Sequence, residues 1–391
     1  MEWKEYSLGD ISKLKYGKNV SAKLCKGPVP IFSGYRKIGT CNTINCKKNT
    51  VIVIARGAGG CGDVKLTKED CFLTNLSISV ELDKGICNAK WFYYNHLLNN
   101  LSFLNSGSAQ PQITIDSLSK YLIRIPPIII QRKIAGILSA LDSKIENNNK
   151  INANLEAQAE ALFKSWFVDF TPFKDQTFVD SELGPIPQGL KICQISDISH
   201  TLETGRRQKG GAVSEGIPSV GAEHVKGIGT YDYSKTKYIS PEFANKLKTG
   251  KINGYELLIY KDGGKPGYFI PNFSIFGEGY PFDLCYLNEH VFKLDFLQNK
   301  GYNIFNYFQF KTNYVMSFLN AQGGKAAIPG INKKDIECIY TFAPNNPKVV
   351  EFGNFALPLF TKILRNCVEN QRLAALRDTL LPKLMSGEIK L

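Results

Sequence analysis

The chain has 391 residues, and its 48 lysines and arginines against 35 aspartates and glutamates give a formal net charge of +13. Hydrophobic residues make up 43% of the chain, which excludes wholesale disorder. The 34 glycines and 18 prolines show no short period, which excludes a collagen-like fibre. The length predicts two or three domains. The basic balance favours a polyanionic partner, although a lysine-rich protein without such a partner has the same composition.

Targeting signals and metal-binding patterns are not found. The first residues carry no apolar segment of the signal-peptide kind, and no stretch approaches the roughly 20 apolar residues of a membrane-spanning helix. We therefore expect a cytoplasmic protein. None of the ten cysteines forms a C-x-x-C pair, and none of the four histidines stands at a ligand spacing from a cysteine. Free thiols are expected, and no metal site is predicted.

The first part of the chain predicts a mixture of strands and short helices. Apolar runs bounded by turn residues, Val51-Ile-Val-Ile-Ala55 and Ile78-Ser-Val-Glu-Leu82, predict strands, and residues 90–101 predict a helix. Similar features return later in the chain. There, strands are predicted at residues 256–260 and 290–294, and a helix at residues 305–319. This mixture is typical of the α+β class.

A long amphipathic helix follows each of these parts, with apolar residues spaced by three, four or seven. Pro127 marks the start of the first helix and Phe170-Thr-Pro172 its end, and the second stops near Gly387. A helix of about 35 residues is roughly 50 Å long. The residues predicted to pair the two helices are Ile134, Leu138, Leu141, Ile145, Leu155, Leu162, Phe352, Leu359, Ile363, Leu373 and Leu380.

The chain contains two copies of one sequence unit. Gln112-Ile113 aligns with Gly330-Ile331 at an offset of 218 residues, and this register continues without a gap for over fifty residues. Near the start of each copy, Leu8-Gly-Asp-Ile-Ser12 aligns with Ile195-Ser-Asp-Ile-Ser199 at an offset of 187. The second copy is therefore 31 residues longer than the first. A register shared by polar and apolar positions argues against chance similarity.

Two such helices in one chain can bury their apolar stripes against each other. Antiparallel pairing into a coiled coil would put the two globular parts at opposite ends and relate the copies by a pseudo-two-fold axis. Duplex DNA has two-fold axes perpendicular to its own axis, so this geometry matches a DNA partner. The alternative is that each helix binds another protein and the two never meet.

The excess positive charge lies mainly in the first globular part. Residues 1–130 carry a net +8, residues 131–170 are neutral, residues 171–347 carry +2 and residues 348–391 carry +3. This distribution suits DNA contact by the globular parts and protein contact by the helices. Arginine can read guanine and glutamine can read adenine, whereas lysine beside phosphate fixes position without reading sequence.

The candidate DNA-binding residues are cations, amides and one tyrosine of the globular parts. For any single lysine, a solvated surface position is the favoured alternative. The candidates of the first copy are Lys15, Lys18, Tyr35, Arg36, Lys37, Arg56, Lys65, Gln110 and Gln112. Those of the second are Arg206, Arg207, Lys209, Lys235, Lys237, Lys261, Lys265 and Lys325.

Catalytic motifs are not evident in the sequence. Gly57-Ala-Gly-Gly-Cys-Gly62 follows a strand, but it lacks the Gly-Lys-Ser/Thr ending of a phosphate-binding P-loop, and Gly263-Gly264-Lys265 is its expected counterpart. The Asn/Asp-Pro-Pro-aromatic loop of adenine methyltransferases is also missing, since Ile125-Pro-Pro-Ile128 has no polar first residue. We expect a chain without catalysis or a cofactor of its own.

Several segments together resemble the specificity (S) subunit of Type I restriction–modification systems. They are the opening residues Trp3 to Ser12, Gly107-Ser-Ala-Gln-Pro-Gln-Ile113 with Ile125-Pro-Pro127, Gln131-Arg-Lys-Ile134, Glu182-Leu-Gly-Pro-Ile-Pro-Gln-Gly189, and the ending from Leu380 to Ile389. Each motif alone is weak. Their order and their duplication make the resemblance specific, and together they cover essentially the whole chain.

The resemblance implies a non-catalytic adaptor with two target recognition domains, at residues 1–130 and 171–347. Each would read one half of a bipartite, asymmetric DNA target. Residues 131–170 and 348–391 would be conserved helices that space these domains and dock two adenine methyltransferase (M) subunits. The partner would hold S-adenosylmethionine, and ATP-dependent restriction (R) subunits would join the complex for cleavage.

The second copy departs from one motif of the first. Where the first has Ser108-Ala-Gln-Pro-Gln-Ile113, the second has Lys325-Ala-Ala-Ile-Pro-Gly-Ile331, without the glutamines. A DNA contact of Gln110 or Gln112 therefore does not transfer to the second domain. A turn shaped only by proline and glycine is an equal alternative for this loop.

Two other functions fit the sequence: a coiled-coil scaffold with non-specific DNA binding, and an enzyme acting on DNA. Salt dependence tests whether the basic charge matters, because binding through several phosphates weakens steeply as salt rises. A turnover assay with this chain alone tests for catalysis.

Overall fold

The computed structural model describes residues 3–20, 27–57, 60–106, 110–263, 267, 269–324 and 329–391. The chain falls into two compact units. The first comprises residues 1–145 together with 372–391, and the second comprises residues 146–371. Each unit therefore contains a segment of both long helices.

The first copy supplies nine strands and three helices among the described residues. The strands are β1 (Lys4–Ser7), β2 (Ser12–Tyr16), β3 (Val29–Ser33), β4 (Arg36–Cys41), β5 (Val51–Ile54), β6 (Val64–Leu66), β7 (Phe72–Leu73), β8 (Ser77–Leu82) and β9 (Leu122–Ile125). The helices are α1 (Ala89–Leu98), α2 (Ile115–Ser119) and the long α3 (Ile128–Phe167).

The second copy adds twelve strands and five helices to the described part of the chain. The strands are β10 (Phe178–Val179), β11 (Ile186–Pro187), β12 (Ile192–Gln194), β13 (Thr201–Thr204), β14 (Ile217–Val220), β15 (Gly227–Ile228), β16 (Lys237–Ile239), β17 (Leu257–Tyr260), β18 (Phe273–Ile275), β19 (Tyr286–Leu287), β20 (Val291–Asp295) and β21 (Tyr340–Phe342). The helices are α4 (Pro241–Ala244), α5 (Lys300–Phe310), α6 (Asn313–Gly323), α7 (Lys333–Glu337) and the long α8 (Pro347–Ser386).

The two units repeat one arrangement of sheets. The first has a four-stranded sheet in the order β2-β8-β5-β6, a three-stranded sheet β4-β3-β7 and the pair β1-β9. The second has β13-β20-β17-β18-β15, β16-β14-β19 and β12-β21, with the additional pair β10-β11. The register also repeats, since Ser79 of β8 lies opposite Lys15 of β2, and Lys293 of β20 lies opposite Glu203 of β13. The fold is therefore a mixture of helix and sheet, as predicted.

The predicted elements agree with the structure except at one helix. The four predicted strands correspond to β5, β8, β17 and β20, and the helix predicted at residues 90–101 is α1. The single helix predicted at residues 305–319 is wrong, because α5 ends at Phe310 and α6 begins at Asn313. The Thr312 hydroxyl accepts a hydrogen bond from Val315 N–H, so it caps the start of a new helix.

Each unit has its own hydrophobic core, built on one face of its large sheet. In the first, Val51 and Val53 of β5 are fully buried together with Trp91 and Phe92 of α1. The second core is dominated by phenylalanines, and the Phe163 ring of α3 lies 5.6 Å from the Phe352 ring of α8. Burying a side chain of this size contributes about 1.5–3 kcal/mol.

The long helices α3 and α8 each have 40 residues. Helix α3 begins directly after Pro127, and α8 ends directly before Gly387, as expected for these residues. Gly387 has a φ of 78°, the left-handed conformation that commonly terminates a helix and that glycine adopts without strain. No helix of the described residues is long and apolar enough to cross a membrane.

Within the first unit, α3 and α8 share the core. Ile134 and Leu138 of α3 are buried in one cluster with Leu381 and Leu384 of α8, and Leu380 packs against it. A hydrogen-bonded ion pair adds to this contact. The Arg377 guanidinium of α8 donates to the Asp142 carboxylate of α3 at 2.8 Å, and the Tyr94 hydroxyl of α1 donates to the other oxygen at 2.6 Å.

Within the second unit, the helices make both apolar and amide contacts. Phe352 and Ile363 of α8 belong to the core that contains α3 residues, and Leu155, Leu162 and Leu359 pack against it. The other residues predicted to pair the helices, Leu141, Ile145 and Leu373, belong to the first unit and are half-buried.

An asparagine cluster also joins the helices in the second unit. Asn148 Nδ2 donates to Asn370 Oδ1 at 2.9 Å, and Asn366 Nδ2 donates to Asn152 Oδ1 at 2.7 Å. Asn148 and Asn366 are each only 1% exposed. Residue numbers rise along one helix as they fall along the other, so this segment of the pair is antiparallel.

Candidate nucleic-acid interface

The candidate interface of the first unit begins where its two larger sheets meet. Strand β2 of the four-stranded sheet ends at Tyr16, and Lys18 N–H donates to the Leu73 carbonyl of β7 at 3.0 Å. A Cβ atom on Gly17 would lie 2.2 Å from the Thr74 carbonyl oxygen. Only glycine allows this close crossing of the chain, which places the exposed Lys18 at the junction.

The hairpin β3–β4 carries two more predicted cations to the same junction. Leu73 of β7 pairs with Phe32 of β3, and Phe32 lies opposite Lys37 of β4. Arg36 precedes Lys37, and both side chains are exposed. The sheet register thus connects Lys18, Arg36 and Lys37, which the sequence separates by almost twenty residues.

Arg56 and Gln112 form an isolated antiparallel bridge just beyond the end of β5. Ile113 N–H donates to the Ala55 carbonyl at 2.9 Å, on one side of this bridge. Arg56 is exposed and Gln112 is half-buried. Gln110, two residues before Gln112, is also exposed.

The second unit builds an equivalent junction at the end of β13. Gly205 N–H donates to the Asn288 carbonyl at 3.2 Å, next to β19. A Cβ atom on Gly205 would lie 1.7 Å from the Leu287 carbonyl oxygen. The exposed Arg206 and Arg207 follow directly, as Lys18 follows Gly17. Lys237 of the neighbouring β16 lies opposite Ser219 of β14.

The counterparts of Arg56 and Gln112 are Asp262 and Gly330, which form the same isolated bridge. Here Ile331 N–H donates to the Lys261 carbonyl at 2.8 Å. The Asp262 carboxylate hydrogen-bonds to the His290 ring at Nδ1, and its other oxygen lies 3.6 Å from Lys261 Nζ. An acidic and a small residue thus stand where the first unit has arginine and glutamine.

Four of the six candidate cations that lie in the described residues of the second unit are neutralised by nearby carboxylates. The ion pairs are Arg207 with Glu289 at 3.7 Å, Lys235 with Asp232 at 3.1 Å, Lys237 with Glu223 at 3.1 Å, and Lys261 with Asp262. In the first unit, by contrast, Lys18, Arg36, Lys37 and Arg56 make no ion pair with any described residue. The same holds for Arg206 and Lys209 among the described residues of the second unit.

Two of these carboxylates, Asp232 and Glu223, stay ionised at neutral pH. Hydrogen bonds from Ser234 and Lys235 lower the pKa of Asp232 to about 2. For Glu223, burial favours the protonated form. A backbone hydrogen bond and the Lys237 ammonium outweigh that effect, so its pKa is lowered overall. Both anions therefore offset the charge of the lysines beside them.

Other predicted residues serve the fold or lie outside the described residues. Lys15 pairs with Glu81 at 3.0 Å, and Lys65 pairs with Asp63 at 3.2 Å. The Tyr35 hydroxyl donates to the Leu66 carbonyl at 2.9 Å, its ring stacks on Phe32, and burial raises its pKa. Lys265 and Lys325, together with residues 58–59, 107–109 and 264, lie outside the described residues.

The two glycines that shape the junctions were not among the predicted site residues. Gly17 and Gly205 each follow the first strand of a large sheet and each precede a cation. This pattern of glycine followed by lysine or arginine is visible in both copies, one residue out of the offset of 187. A search for it would have found the junction and its basic residues together.

The chemistry available at these junctions is attraction and hydrogen bonding. Exposed lysines and arginines attract phosphate, and arginine and glutamine donate to base edges. No group of three or more histidine, cysteine, aspartate or glutamate side chains among the described residues could hold a metal ion. The nine cysteines of the described part of the chain are free thiols.

Comparison with known proteins gives a consistent relationship. Residues 1–157 match the model of the Type I restriction modification DNA specificity domain. The chain is 29% identical to the MjaIX specificity subunit of Methanocaldococcus jannaschii, over 88% of this chain and 78% of that protein. It is 26% identical to the HindI specificity subunit of Haemophilus influenzae, over 99% of this chain and 100% of that protein.

A solved structure supports the fold. The crystal structure of the Type I restriction-modification system S subunit from M. genitalium superposes with a TM-score of 0.64. The superposition covers 98% of this chain and 96% of that one, at 19% sequence identity. The arrangement of helices and sheets is therefore that of this S subunit.

Proposed function

We propose that this chain, whose residues 1–157 belong to the Type I restriction modification DNA specificity domains, is the DNA-reading subunit of such a system. The chain is related over its whole length to Type I specificity subunits. It would recognise a bipartite, asymmetric DNA target and direct partner adenine methyltransferase subunits to it. Restriction subunits would use the same target for cleavage, and the complex would work in the cytoplasm.

One observation carries the proposal more than any other: the exposed cations along the junction of the first unit make no ion pair with any described residue. Lys18, Arg36 and Lys37 come from two segments that the sheets bring together, and Arg56 stands at the end of the neighbouring β5. Exposed side chains without a carboxylate partner are free to replace the counterions of a DNA backbone. In the second unit, the carboxylates beside Arg207, Lys235 and Lys237 weaken the attraction of these cations to phosphate.

The repeated sheets support two recognition domains, one for each half of the target. Residues 1–130 would read one half-site and residues 171–347 the other. Helices α3 and α8 would form a coiled coil that spaces them and docks two methyltransferase subunits, with the copies related by a pseudo-two-fold axis. The contacts between α3 and α8 inside each unit fit this arrangement.

The chain would have no catalysis of its own. Its candidate residues are binding groups, and S-adenosylmethionine would be held by the partner. The alternative function is a coiled-coil scaffold with non-specific DNA binding. Non-specific DNA binding depends on phosphate attraction, which the ion-paired cations of the second unit provide only weakly, so they do not favour this alternative.

A selection experiment tests the proposal. The chain, purified with its methyltransferase partner, is mixed with a random duplex library at physiological salt, and bound DNA is sequenced. We expect enrichment of two short sequences at a fixed separation. The control complex carries Lys18→Ala, Arg36→Ala and Lys37→Ala and should retain the same sequences with lower recovery. No sequence preference with the wild-type complex would refute the proposal.

A further inference from the structure

Arg56 and Gln112 are neighbours across an isolated antiparallel backbone bridge. The flanking hydrogen bond from Ile113 N–H to the Ala55 carbonyl identifies them as a non-hydrogen-bonded pair of an antiparallel bridge. In such a pair the side chains lie on the same face, with Cβ atoms about 4.5–5.5 Å apart. The Gln112 backbone is fixed further by a hydrogen bond from its N–H to Asn105 Oδ1 at 2.7 Å.

The two side chains are free although their backbones are fixed. Neither the Arg56 guanidinium nor the Gln112 amide forms a hydrogen bond or ion pair with another described residue. Tyr35, Lys15 and Lys65 differ in this respect, because their polar groups are used within the protein. Side chains that make no internal contact, on a backbone held by hydrogen bonds, can bind a ligand without first breaking such a contact.

The chemistry of this pair suits two purines. The arginine fork donates to O6 and N7 of guanine, and the glutamine amide pairs with N6 and N7 of adenine. Successive base pairs are separated by about 3.4 Å along the helix axis. Two side chains whose Cβ atoms are about 5 Å apart can therefore reach adjacent base pairs.

We propose that Arg56 and Gln112 are the base-reading pair of the first unit, with guanine and adenine at adjacent positions of one half-site. Lys18, Arg36 and Lys37 would bind the flanking phosphates. This inference rests on the proposed function and assigns separate roles within it. The second unit reads its half-site by other means, because Gly330 has no side chain and Asp262 is engaged with His290 and Lys261.

The test separates base reading from phosphate attraction. Complexes with the methyltransferase partner carry Arg56→Ala, Arg56→Lys or Gln112→Ala, and binding is measured on the selected target and on all single-base variants. Arg56→Lys keeps the positive charge and removes the fork. We expect both Arg56 variants to reduce discrimination at one guanine position by about tenfold, and Gln112→Ala to do so at the adjacent position.

Lys18→Ala is the matched control and should weaken all target variants by the same factor. The second half-site should be read normally in every variant. If Arg56→Ala lowered affinity uniformly and Arg56→Lys restored it, Arg56 would be a phosphate contact, and the inference would be overturned while the proposed function stood. Absence of any preference with the wild-type complex would refute the proposed function itself.

Discussion

The two units of this molecule repeat the same arrangement of sheets and the same strand register, but they present different surfaces at their equivalent junctions. In the first, Lys18, Arg36, Lys37 and Arg56 have no carboxylate partner among the described residues. In the second, Arg207, Lys235, Lys237 and Lys261 each have one. The net charges of +8 for residues 1–130 and +2 for residues 171–347 reflect this difference. One scaffold can therefore offer either strong electrostatic attraction or a locally neutralised surface.

Stability does not explain the carboxylates of the second unit. The Lys237 and Lys235 side chains are more than half exposed, and exposed ion pairs contribute only about 0.2–1 kcal/mol. Their main effect is on the electrostatic field that an approaching polyanion meets. We infer that the first unit supplies more of the long-range attraction to DNA.

The largest expected effect concerns the close backbone approach at Gly17 in the first unit and at Gly205 in the second. Gly205→Ala should lower the free energy of unfolding by more than about 4 kcal/mol, because its Cβ would lie 1.7 Å from a backbone oxygen. Gly17→Ala should cost less, since its nearest contact is 2.2 Å. Chemical denaturation of each variant measures this. Gly136→Ala is the control, with open space around its Cβ, and should stabilise α3 by about 1 kcal/mol.

The next effect comes from the buried Lys293 of the second unit, which has no charged counterpart at the equivalent position of the first. Lys293 is 5% exposed and pairs with Glu203 at 3.1 Å and Glu256 at 3.9 Å. Lys293→Met should destabilise the chain by about 3–5 kcal/mol, since it leaves two carboxylates without their cation. In the first unit Ser79 occupies this place, and Ser79→Ala should cost about 1 kcal/mol. Equal unfolding free energies for the two variants would contradict this difference.

A pH effect belongs to the first unit. Burial lowers the pKa of His96 to about 4, and its Nδ1–H donates to the Phe92 carbonyl. In the unfolded chain its pKa is about 6.5, so the unfolded state binds more protons between these values. The stability from this group is complete above pH 6.5, and about 3 kcal/mol is lost as the pH falls to 4.

Denaturation curves at pH 7 and pH 4.5 measure this loss in the intact chain. His96→Phe removes the titrating group and should flatten the pH dependence over this range. A wild-type curve without any change in unfolding free energy between the two pH values would contradict the prediction.

The smallest expected effect tests the comparison of the two junctions directly. Replacing Lys18, Arg36 and Lys37 by alanine should make the slope of log affinity against log salt shallower by about 2–3, one for each lost phosphate contact. The matched variant replaces Arg207, Lys235 and Lys237, whose charges are already offset, and should change the slope by less than about 1. Equal changes in the two variants would mean that ion pairing does not distinguish the units.

Local patterns in the sequence were enough for four central strands, helix α1 and the two long helices, but not for the other strands of the described residues. Alternation and turn residues predicted β5, β8, β17 and β20, and the proline before Ile128 and the glycine after Ser386 predicted the ends of the long helices. The break between α5 and α6 was missed because the apolar pattern continues through it. At this break the Thr312 hydroxyl caps the start of α6, although the apolar spacing predicts one continuous helix.

The candidate site was predictable only in part. Lys18, Arg36 and Lys37 are recognisable as a basic aromatic segment, but their convergence depends on the pairing of β3 with β7. The neutralisation of Arg207 by Glu289 joins residues far apart in the chain, and that of Lys237 by Glu223 depends on how the segment between them folds. Such pairs depend on tertiary structure. Composition therefore predicted that each unit has a net positive charge, but not which of its cations are ion-paired.

The asparagine cluster of the second unit bears on the origin of the molecule. Asn148 and Asn366 are equivalent positions of the two copies at the offset of 218, and so are Asn152 and Asn370. Exchanging the copies therefore converts the contact of Asn148 with Asn370 into the contact of Asn366 with Asn152. Each copy therefore carries both halves of a self-complementary contact. An ancestor with one copy would have formed a homodimer through the same amides, before gene duplication and fusion put both copies in one chain.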